Sequence, residues 1–227
     1  MSKLIVYHGG TSLLRSPHLK DSKLGKEYGQ GFYLTESLSA AANWAAFHAK
    51  LNQKDKGIVT RYTMDTTNLV RHSLFPKDQS TEELIKWIAL ASFSLYNGTS
   101  MMRDNFAVST FIMRHANIHL LSSDILEAPI IRGWLVKAFR AFYEHRIPLS
   151  VFHSLLRTYD LETEIVLKSD RAVFSLINDG FKEITVGSDF RLGISRDIEI
   201  SNYLDSIIQQ SAYWPRHSNE KYISDFI

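Results

Sequence analysis

The stretch Glu27–Thr35, EYGQGFYLT, places two glycines and two tyrosines shortly before a run of small residues, Ala40–Ala46, AAANWAA. Glycine adopts backbone conformations that other residues avoid, and Phe32, Tyr33 and Leu34 favour a half-buried strand. The small-residue run favours a helix that begins almost at once. One interpretation of this stretch is the edge of a hairpin. The other is a turn, a strand and a helix that together shape a binding site.

The composition is that of a globular protein. The chain has 227 residues, 44% hydrophobic and 22% charged, which is enough for a sizeable core in one domain or in a domain with an inserted lobe. A formal net charge of +2 does not indicate a nucleic-acid binder, although a pI near 8.7 allows a local basic patch. The absence of cysteine excludes thiol catalysis, thiolate metal sites and disulfides.

The apolar runs are short. The N-terminal run is too short for a secretion signal, and the most apolar later run, Ile88–Leu95, is interrupted by serines and falls short of a membrane span. We therefore expect a cytoplasmic protein without a cleaved leader and without a membrane partner.

Strand patterns occur towards both ends of the chain. The clearest is Gly57–Asp65, GIVTRYTMD, in which apolar and polar residues alternate. The other predicted strands are Leu4–Tyr7, which ends on His8-Gly9-Gly10, then Phe32–Thr35, Glu164–Leu167 and Phe181–Val186. The polar residues 11–29 are predicted to form a loop.

The middle of the chain has helical apolar spacing, from Thr81 to about Arg157. The predicted helices are Ser37–Lys50, Thr81–Tyr96 with Thr81 as its N-cap, Asn105–Ala116, Ile130–Glu144, Leu149–Leu156, Asp170–Ile177 and Asp197–Gln210. The pattern predicts an α+β fold: one domain over residues 1–227, in which strand-rich ends surround a largely helical insertion at about residues 78–157.

Common catalytic and metal motifs are absent from the sequence. His115 and His119 in HANIH have the spacing of two metal ligands, but no acidic base lies between them and no third ligand is evident, so a surface or packing role is favoured. No metal is expected. There is no G-x-S-x-G, no G-x-x-x-x-G-K-[ST] and no G-x-G-x-x-G after a strand. Because the basic residues are scattered, a nucleic-acid surface is weakly supported.

Three motifs fit one another in order. They are Tyr7–Thr11 (YHGGT), Gly29–Tyr33 followed by Ala40–Trp44, and Glu162–Leu167 (ETEIVL). With them the sequence resembles the ADP-ribosyltransferase superfamily, in its diphtheria-toxin and poly(ADP-ribose) polymerase branch with a His-Tyr-Glu triad. In that branch one strand ends in His-Gly, a second reads Gly-x-Gly-x-Tyr-Phe and a third opens with Glu-Tyr-Ile-Val.

The sequence is also similar to a bacterial family of small ADP-ribosyltransferase-like proteins found beside toxin–antitoxin genes. The shared segments are YHGG, EYGQGFYLT, AAANWA, GIVTRYTMD and TEIVLKSDRAVFSLI, in that order. They cover about residues 4–70 and 140–186, whereas the relatives' acidic Asp-Val-Ile-x-Gly stretch has no good counterpart near Asp124–Gly133. Many relatives carry glutamine at the acidic place of the triad, where this chain has Glu164.

The resemblance implies a split β-sheet core that uses NAD as the donor of ADP-ribose. His8, Tyr33 and Glu164 match the triad, and Trp44 takes the place of a second aromatic residue eleven positions after the triad tyrosine. The reaction breaks the bond between nicotinamide and ribose through an oxocarbenium-like transition state. A negative charge near the developing cation stabilises that state.

Each matching residue suits one task in this chemistry. Gly9 would let the backbone approach the nicotinamide carboxamide, and His8 would donate to a ribose hydroxyl as a neutral imidazole. Tyr33 and Trp44 would sandwich the nicotinamide ring, while Gly29 and Gly31 would clear space beside it. The predicted catalytic residues are Glu164, His8 and Tyr33, and the predicted NAD-binding residues are His8, Gly9, Thr11, Gly31, Tyr33 and Trp44.

Glu162 is a candidate on the acceptor side of the site. It precedes Glu164 by two residues, so strand alternation points both carboxylates to one side, where Glu162 could orient an incoming nucleophile. A solvated charge is the other interpretation.

The predicted function is an NAD-dependent mono-ADP-ribosyltransferase, a bacterial or phage toxin or effector. Its partners would be NAD, a macromolecular acceptor (protein or nucleic acid) and an antitoxin or inhibitor protein. The alternatives are an NAD glycohydrolase toxin and a catalytically inactive NAD-binding interaction module. Glu164 argues against inactivity, while the undefined acceptor leaves the two enzymatic alternatives unseparated.

Overall fold

The computed structural model describes residues 3–19, 27–74, 80–97, 99–131, 133–159, 161–186, 194–211 and 220–227. These residues form a mixed α+β fold of two sheets and eight α-helices, which confirms the predicted class. The strands are β1 Lys3–Gly10, β2 Phe32–Leu34, β3 Lys56–Asp65, β4 Arg71–Ser73, β5 Ile125–Pro129, β6 Thr163–Leu167 and β7 Leu176–Thr185. The helices are α1 Leu38–Leu51, α2 Thr81–Tyr96, α3 Ser100–Asp104, α4 Phe106–His115, α5 Trp134–Tyr143, α6 Leu149–Thr158, α7 Asp170–Phe174 and α8 Ile194–Ser211. None of the helices in these ranges is both long and apolar enough to cross a membrane.

The strands form two separate sheets. The first sheet is antiparallel, with the order β1-β3-β7, and the second has the order β2-β6-β5-β4. In the second sheet only the short β4 runs parallel to its neighbour β5.

Alternating side chains of the second sheet enter two different cores. Ile165 and Leu167 pack with Val6, Tyr62 and Met64 of the first sheet. On the opposite face, Leu126, Ala128 and Val166 pack under the helices, whose largest buried side chains there include Trp87, Phe139 and Phe152. The second sheet therefore lies between the first sheet and a helical layer.

Two backbone hydrogen bonds join the sheets. The Tyr7 amide donates to the Thr35 carbonyl at 2.8 Å, and the Thr35 amide donates to the Tyr7 carbonyl at 3.0 Å. This bridge brings the end of β1 against the end of β2.

Helix α1 packs on the first sheet at unusually short range. A Cβ atom on Gly9 would lie 2.1 Å from the Ala41 carbonyl oxygen, and one on Gly57 would lie 2.3 Å from the Ala45 carbonyl oxygen. Glycine in the strands and alanine in the helix therefore let the two backbones touch, which explains the run of small residues. The Ser37 hydroxyl caps the helix by accepting from the Ala40 amide at 3.1 Å.

The predicted helical middle contains a strand. β5 is buried along its whole length and lies between β6 and β4 in the second sheet. β5 ends at Pro129, just before the predicted helix over Ile130–Glu144, and that prediction was wrong at its start because α5 begins only at Trp134. The sequence of β5 is a short, mostly apolar run without alternation, which is compatible with a helix and equally with a strand buried on both faces. In the folded protein this run pairs with β6 and is therefore a strand.

Smaller corrections concern element ends. The predicted helix over Asp170–Ile177 stops at Phe174, since Leu176 already pairs with Met64 of β3. The N-cap of α2 is Ser80 rather than Thr81. β1 continues through His8 to Gly10 instead of ending before them, and the short β4 and α3 were not predicted. Residues 20–26 of the predicted loop lie outside the described residues.

Asp124, just before β5, links its own segment to the segment of Val70 and to the segment of Ser169 and Arg171. Its carboxylate accepts hydrogen bonds from the Arg171 guanidinium, the Ser169 hydroxyl and, at 2.8 Å, the Val70 amide. The Arg171 bonds lower the pKa of Asp124 to about 2, with further help from Ser169 and the Val70 amide, although burial opposes the shift. The ionised form is therefore part of the folded structure.

This linkage predicts a pH dependence of stability. Because the pKa of Asp124 is lower in the folded than in the unfolded chain, its contribution is complete above about pH 4 and is lost as the pH falls towards 2. The free energy of unfolding, measured by urea titration, should fall less steeply over this range in Asp124→Asn than in the unsubstituted protein. The exposed Asp104→Asn is the control and should keep the original slope; equal slopes in all three proteins would contradict the assignment.

Candidate active site

A cleft opens where β1, β2, β6 and α1 meet. It holds about 520 Å³ of empty space, including its open mouth. The lining residues are Tyr7, His8, Gly9, Glu27, Tyr33, Leu34, Thr35, Ala41, Trp44, His48, Ile130 and Glu164.

The cleft gathers most, but not all, of the residues proposed from the sequence. The five that line it are His8, Gly9, Tyr33, Trp44 and Glu164. Three others, Thr11, Gly31 and Glu162, are not among the lining residues. The predicted convergence of the three motifs is thus observed, while the chemical roles stay predictions.

His8 is held by its ring and by one of its nitrogens. The imidazole stacks on Phe32, with ring centroids 4.8 Å apart and planes 26° apart. Nδ1 lies 3.0 Å from the Tyr33 carbonyl oxygen, which can only accept, so Nδ1 carries the proton. In the neutral ring Nε2 is then an acceptor. A neutral His8 would accept from a ribose hydroxyl rather than donate to it, contrary to the expectation above.

The Tyr33 hydroxyl closes the turn that precedes β2. It donates to the Gly29 carbonyl at 2.7 Å and accepts from the Tyr28 amide at 3.2 Å. Burial, with the nearby Glu164 carboxylate, raises the pKa of Tyr33 far above its ordinary value. The hydroxyl therefore stays protonated and serves the turn, which leaves the ring as the part of Tyr33 that a ligand would meet.

Lys168 fixes the same turn from the end of β6. Its ammonium donates to the carbonyls of Tyr28 at 2.6 Å and Gln30 at 2.5 Å, on either side of Gly29. Gly29 has φ +74°, a left-handed conformation that favours glycine. Burial lowers the pKa of Lys168 to about 8. The turn before Tyr33 is thereby tied to the strand that carries Glu164.

The glycines do not act as expected from the sequence. A Cβ atom on Gly31 would lie 2.5 Å from Val166 Cγ1, so Gly31 makes room for β6 and not for a ligand. The missing side chain of Gly9 likewise faces α1, where the Ala41 carbonyl oxygen takes its space. The expectation that Gly31 clears space beside a ligand was therefore wrong, while the same expectation for Gly29 stays a prediction.

Tyr28 is a structural residue that the sequence analysis missed. It is fully buried, and its hydroxyl donates to the Pro129 carbonyl at 2.8 Å while accepting from Trp87 Nε1 at 3.1 Å. The turn is thus anchored to β5 and α2 as well as to β6. An aromatic residue beside a glycine gives no sequence signal for this role.

Glu164 is a buried carboxylate in the lining of the cleft. It is 7% exposed and lies opposite Ala128 of β5. Because Tyr33 pairs with Val166, two residues along β6, Tyr33 and Glu164 share the face of the second sheet that points towards the helices. The carboxylate contributes to the raised pKa values of both Tyr28 and Tyr33. It is therefore positioned to act on a positive charge in the cleft.

Trp44 and His48 form the wall on α1. They lie one helical turn apart, and their rings stack with centroids 5.5 Å apart and planes 23° apart. Phe47 meets both rings at steep angles. His48 was not predicted from the sequence, although its spacing of four residues from Trp44 on a helix could have indicated it.

Two other residues from the sequence analysis lie elsewhere. Glu162 is exposed and precedes β6; its carbonyl accepts from the amide of Ile130, a lining residue, at 2.8 Å. His115 Nε2 donates to the Phe226 carbonyl at 2.8 Å, which anchors the C-terminal turn Ile223–Phe226 to α4. Within the described ranges, no three His, Asp or Glu side chains cluster as metal ligands would.

One comparison with known proteins gave a match. A family model described as "Protein of unknown function (DUF3990)" matches residues 4–177, a range that contains every lining residue of the cleft. No curated protein and no solved structure matches the chain significantly.

The turn geometry predicts how Tyr33→Phe behaves. The substitution removes the hydroxyl that serves Gly29 and Tyr28, so the free energy of unfolding should fall by about 1–2 kcal/mol while the ring wall remains. Chemical denaturation measures the change. Tyr203→Phe, which alters a half-exposed hydroxyl on α8, is the control and should be nearly neutral; equal stabilities of the two variants would refute the role of the Tyr33 hydroxyl.

Proposed function

We propose that this chain, which belongs to the DUF3990 family, is an NAD-dependent mono-ADP-ribosyltransferase. The observation that carries the proposal is the meeting of His8, Tyr33 and Glu164 in one cleft, with Trp44 on the wall. These four side chains come from three distant segments of the chain. Their convergence is what the resemblance to the His-Tyr-Glu transferases requires of the fold.

The nicotinamide ring would lie against aromatic side chains. Tyr33 offers a ring whose hydroxyl is already bound to the turn, and Trp44 offers a second ring held by His48 and Phe47. Flat aromatic faces of this kind bind a planar heteroaromatic ring by stacking. The Gly9 backbone, at the end of β1, would approach the carboxamide.

The ribose would lie between His8 and Glu164. Nε2 of a neutral His8 would accept from one ribose hydroxyl, and the Glu164 carboxylate would accept from the 2′-hydroxyl. When the glycosidic bond breaks, its electron pair leaves with nicotinamide and positive charge develops at the anomeric carbon. A fixed carboxylate in a largely buried site stabilises that charge strongly. The acceptor nucleophile then bonds to the same carbon and gives up its proton.

The wider role follows from this chemistry. We propose a cytoplasmic toxin or effector of bacterial or phage origin that modifies a protein or nucleic acid and is held in check by an antitoxin or inhibitor protein. The buried Glu164 carboxylate, in one cleft with His8 and Tyr33, is what catalysis would need, and this favours an enzyme over an inactive binding module. If no acceptor is present, water takes its place and the product is free ADP-ribose.

Glu164→Gln tests the proposal. The amide preserves the shape of the side chain and removes its charge, so nicotinamide release from NAD should fall by about a hundredfold or more while NAD still binds. Release can be followed by chromatography, and binding by calorimetry. Glu199→Gln, an exposed change on α8, is the control and should keep full activity. Unchanged nicotinamide release in Glu164→Gln would refute the assignment.

A second experiment concerns the acceptor and Glu162. The protein is incubated with NAD labelled in its adenylate part and a cell extract, and the labelled product is then treated with protease or nuclease. If Glu162 orients an acceptor, Glu162→Gln should lower transfer to the labelled target several-fold more than it lowers hydrolysis of NAD. An unchanged ratio of the two rates in one preparation would leave Glu162 as a solvated charge.

A further inference from the structure

The ionisable side chains that line the cleft include few groups that could bind the phosphates of a dinucleotide. Two carboxylates, Glu27 and Glu164, and two imidazoles, His8 and His48, lie among the lining residues, which include no lysine or arginine within the described ranges. A dinucleotide brings a diphosphate with two negative charges. It therefore needs hydrogen-bond donors, placed away from the carboxylates, to replace the water that its phosphates lose.

Of the two imidazoles, His8 is the one proposed above to bind the ribose. Its Nδ1–H donates to the Tyr33 carbonyl, and its ring is stacked on Phe32. His48 is the remaining imidazole of the lining. Its ring is fixed parallel to Trp44 and edge-on to Phe47, in the last turn of α1, where the helix carbonyls favour a positive charge.

We propose that His48 binds the diphosphate of the dinucleotide by donating a ring N–H to a phosphate oxygen. The inference rests on the proposed function, because it takes nicotinamide to lie against Trp44. Only one ribose separates nicotinamide from the diphosphate, and the side chain beside Trp44 on the cleft wall is His48. The groups that share the cleft with His48 are Glu27, Glu164 and His8, and the nearest cation on its own helix is the exposed Lys50.

Two ligands separate this role from a packing role. Nicotinamide carries the ring that Trp44 would bind but has no phosphate, whereas NAD carries both. Affinities for each are measured by calorimetry in the Glu164→Gln background, so that NAD is not consumed. In that background His48→Gln should weaken NAD binding by about tenfold, as expected for a lost hydrogen bond to a charged group. It should weaken nicotinamide binding far less, because Phe47 still packs against Trp44.

Two further variants complete the set. His48→Arg, which restores a cationic donor, should recover most of the NAD affinity. Lys50→Gln removes a charge from the same helix end outside the cleft and should leave both affinities unchanged. Together with the selective loss in His48→Gln, these results would support the inference.

Three outcomes would overturn it. Unchanged NAD affinity in His48→Gln, or an equal loss for nicotinamide and NAD, would show that His48 binds no phosphate and at most supports Trp44. A loss in Lys50→Gln as large as that in His48→Gln would assign the effect to general charge. These outcomes leave the proposed function standing. If neither ligand binds the protein with His48 intact, the proposed function fails and the inference fails with it.

Discussion

The pair of backbone hydrogen bonds between Tyr7 and Thr35 is the contact on which the cleft depends. It joins two sheets that otherwise meet through side chains, and it does so one residue before His8 and two residues after Tyr33. The hydrogen bond from His8 Nδ1 to the Tyr33 carbonyl lies beside this bridge and fixes the histidine tautomer. Since β6 pairs directly with β2, the bridge also helps to bring His8 and Glu164 into the lining of one cleft. Backbone bonds of this kind do not depend on side-chain identity, so they can hold a site whose side chains are kept for chemistry.

The walls of the cleft are fixed by close packing. Backbone contact of α1 with Gly9 and Gly57 leaves no room for a side chain between helix and sheet, and this places Trp44 and His48 along the cleft. On the other wall, the turn before β2 is bound by Lys168, by the Tyr33 hydroxyl and by Tyr28, which reaches Pro129 and Trp87. Glu164 is thus surrounded by groups that are themselves held in place. Such preorganisation is what stabilisation of a developing charge requires.

Much of the fold and of the site could be predicted from local patterns. The helix α1 and the strand β3 were recognised from capping, small residues and alternation, and the three motifs correctly placed His8, Tyr33 and Glu164 together. The strand β5 was not recognised, because a buried run of five residues carries no period and its pairing with β6 is non-local. The role of Gly31 was predicted wrongly, since the sequence does not show that β6 lies against it. The networks around Tyr28 and Lys168 were likewise invisible, because their partners are distant backbone carbonyls.

The proposed function requires this cleft to bind the nicotinamide end of NAD. A crystal structure of the protein soaked with nicotinamide tests it most directly, because nicotinamide is both a product of the proposed reaction and the smallest part of NAD that should find its place alone. We expect the ring between Tyr33 and Trp44, with its carboxamide at the Gly9 backbone and the Glu164 carboxylate close to the ring nitrogen. Nicotinamide bound elsewhere on the protein, or an empty cleft at saturating nicotinamide, would show that this cleft is not the nicotinamide site.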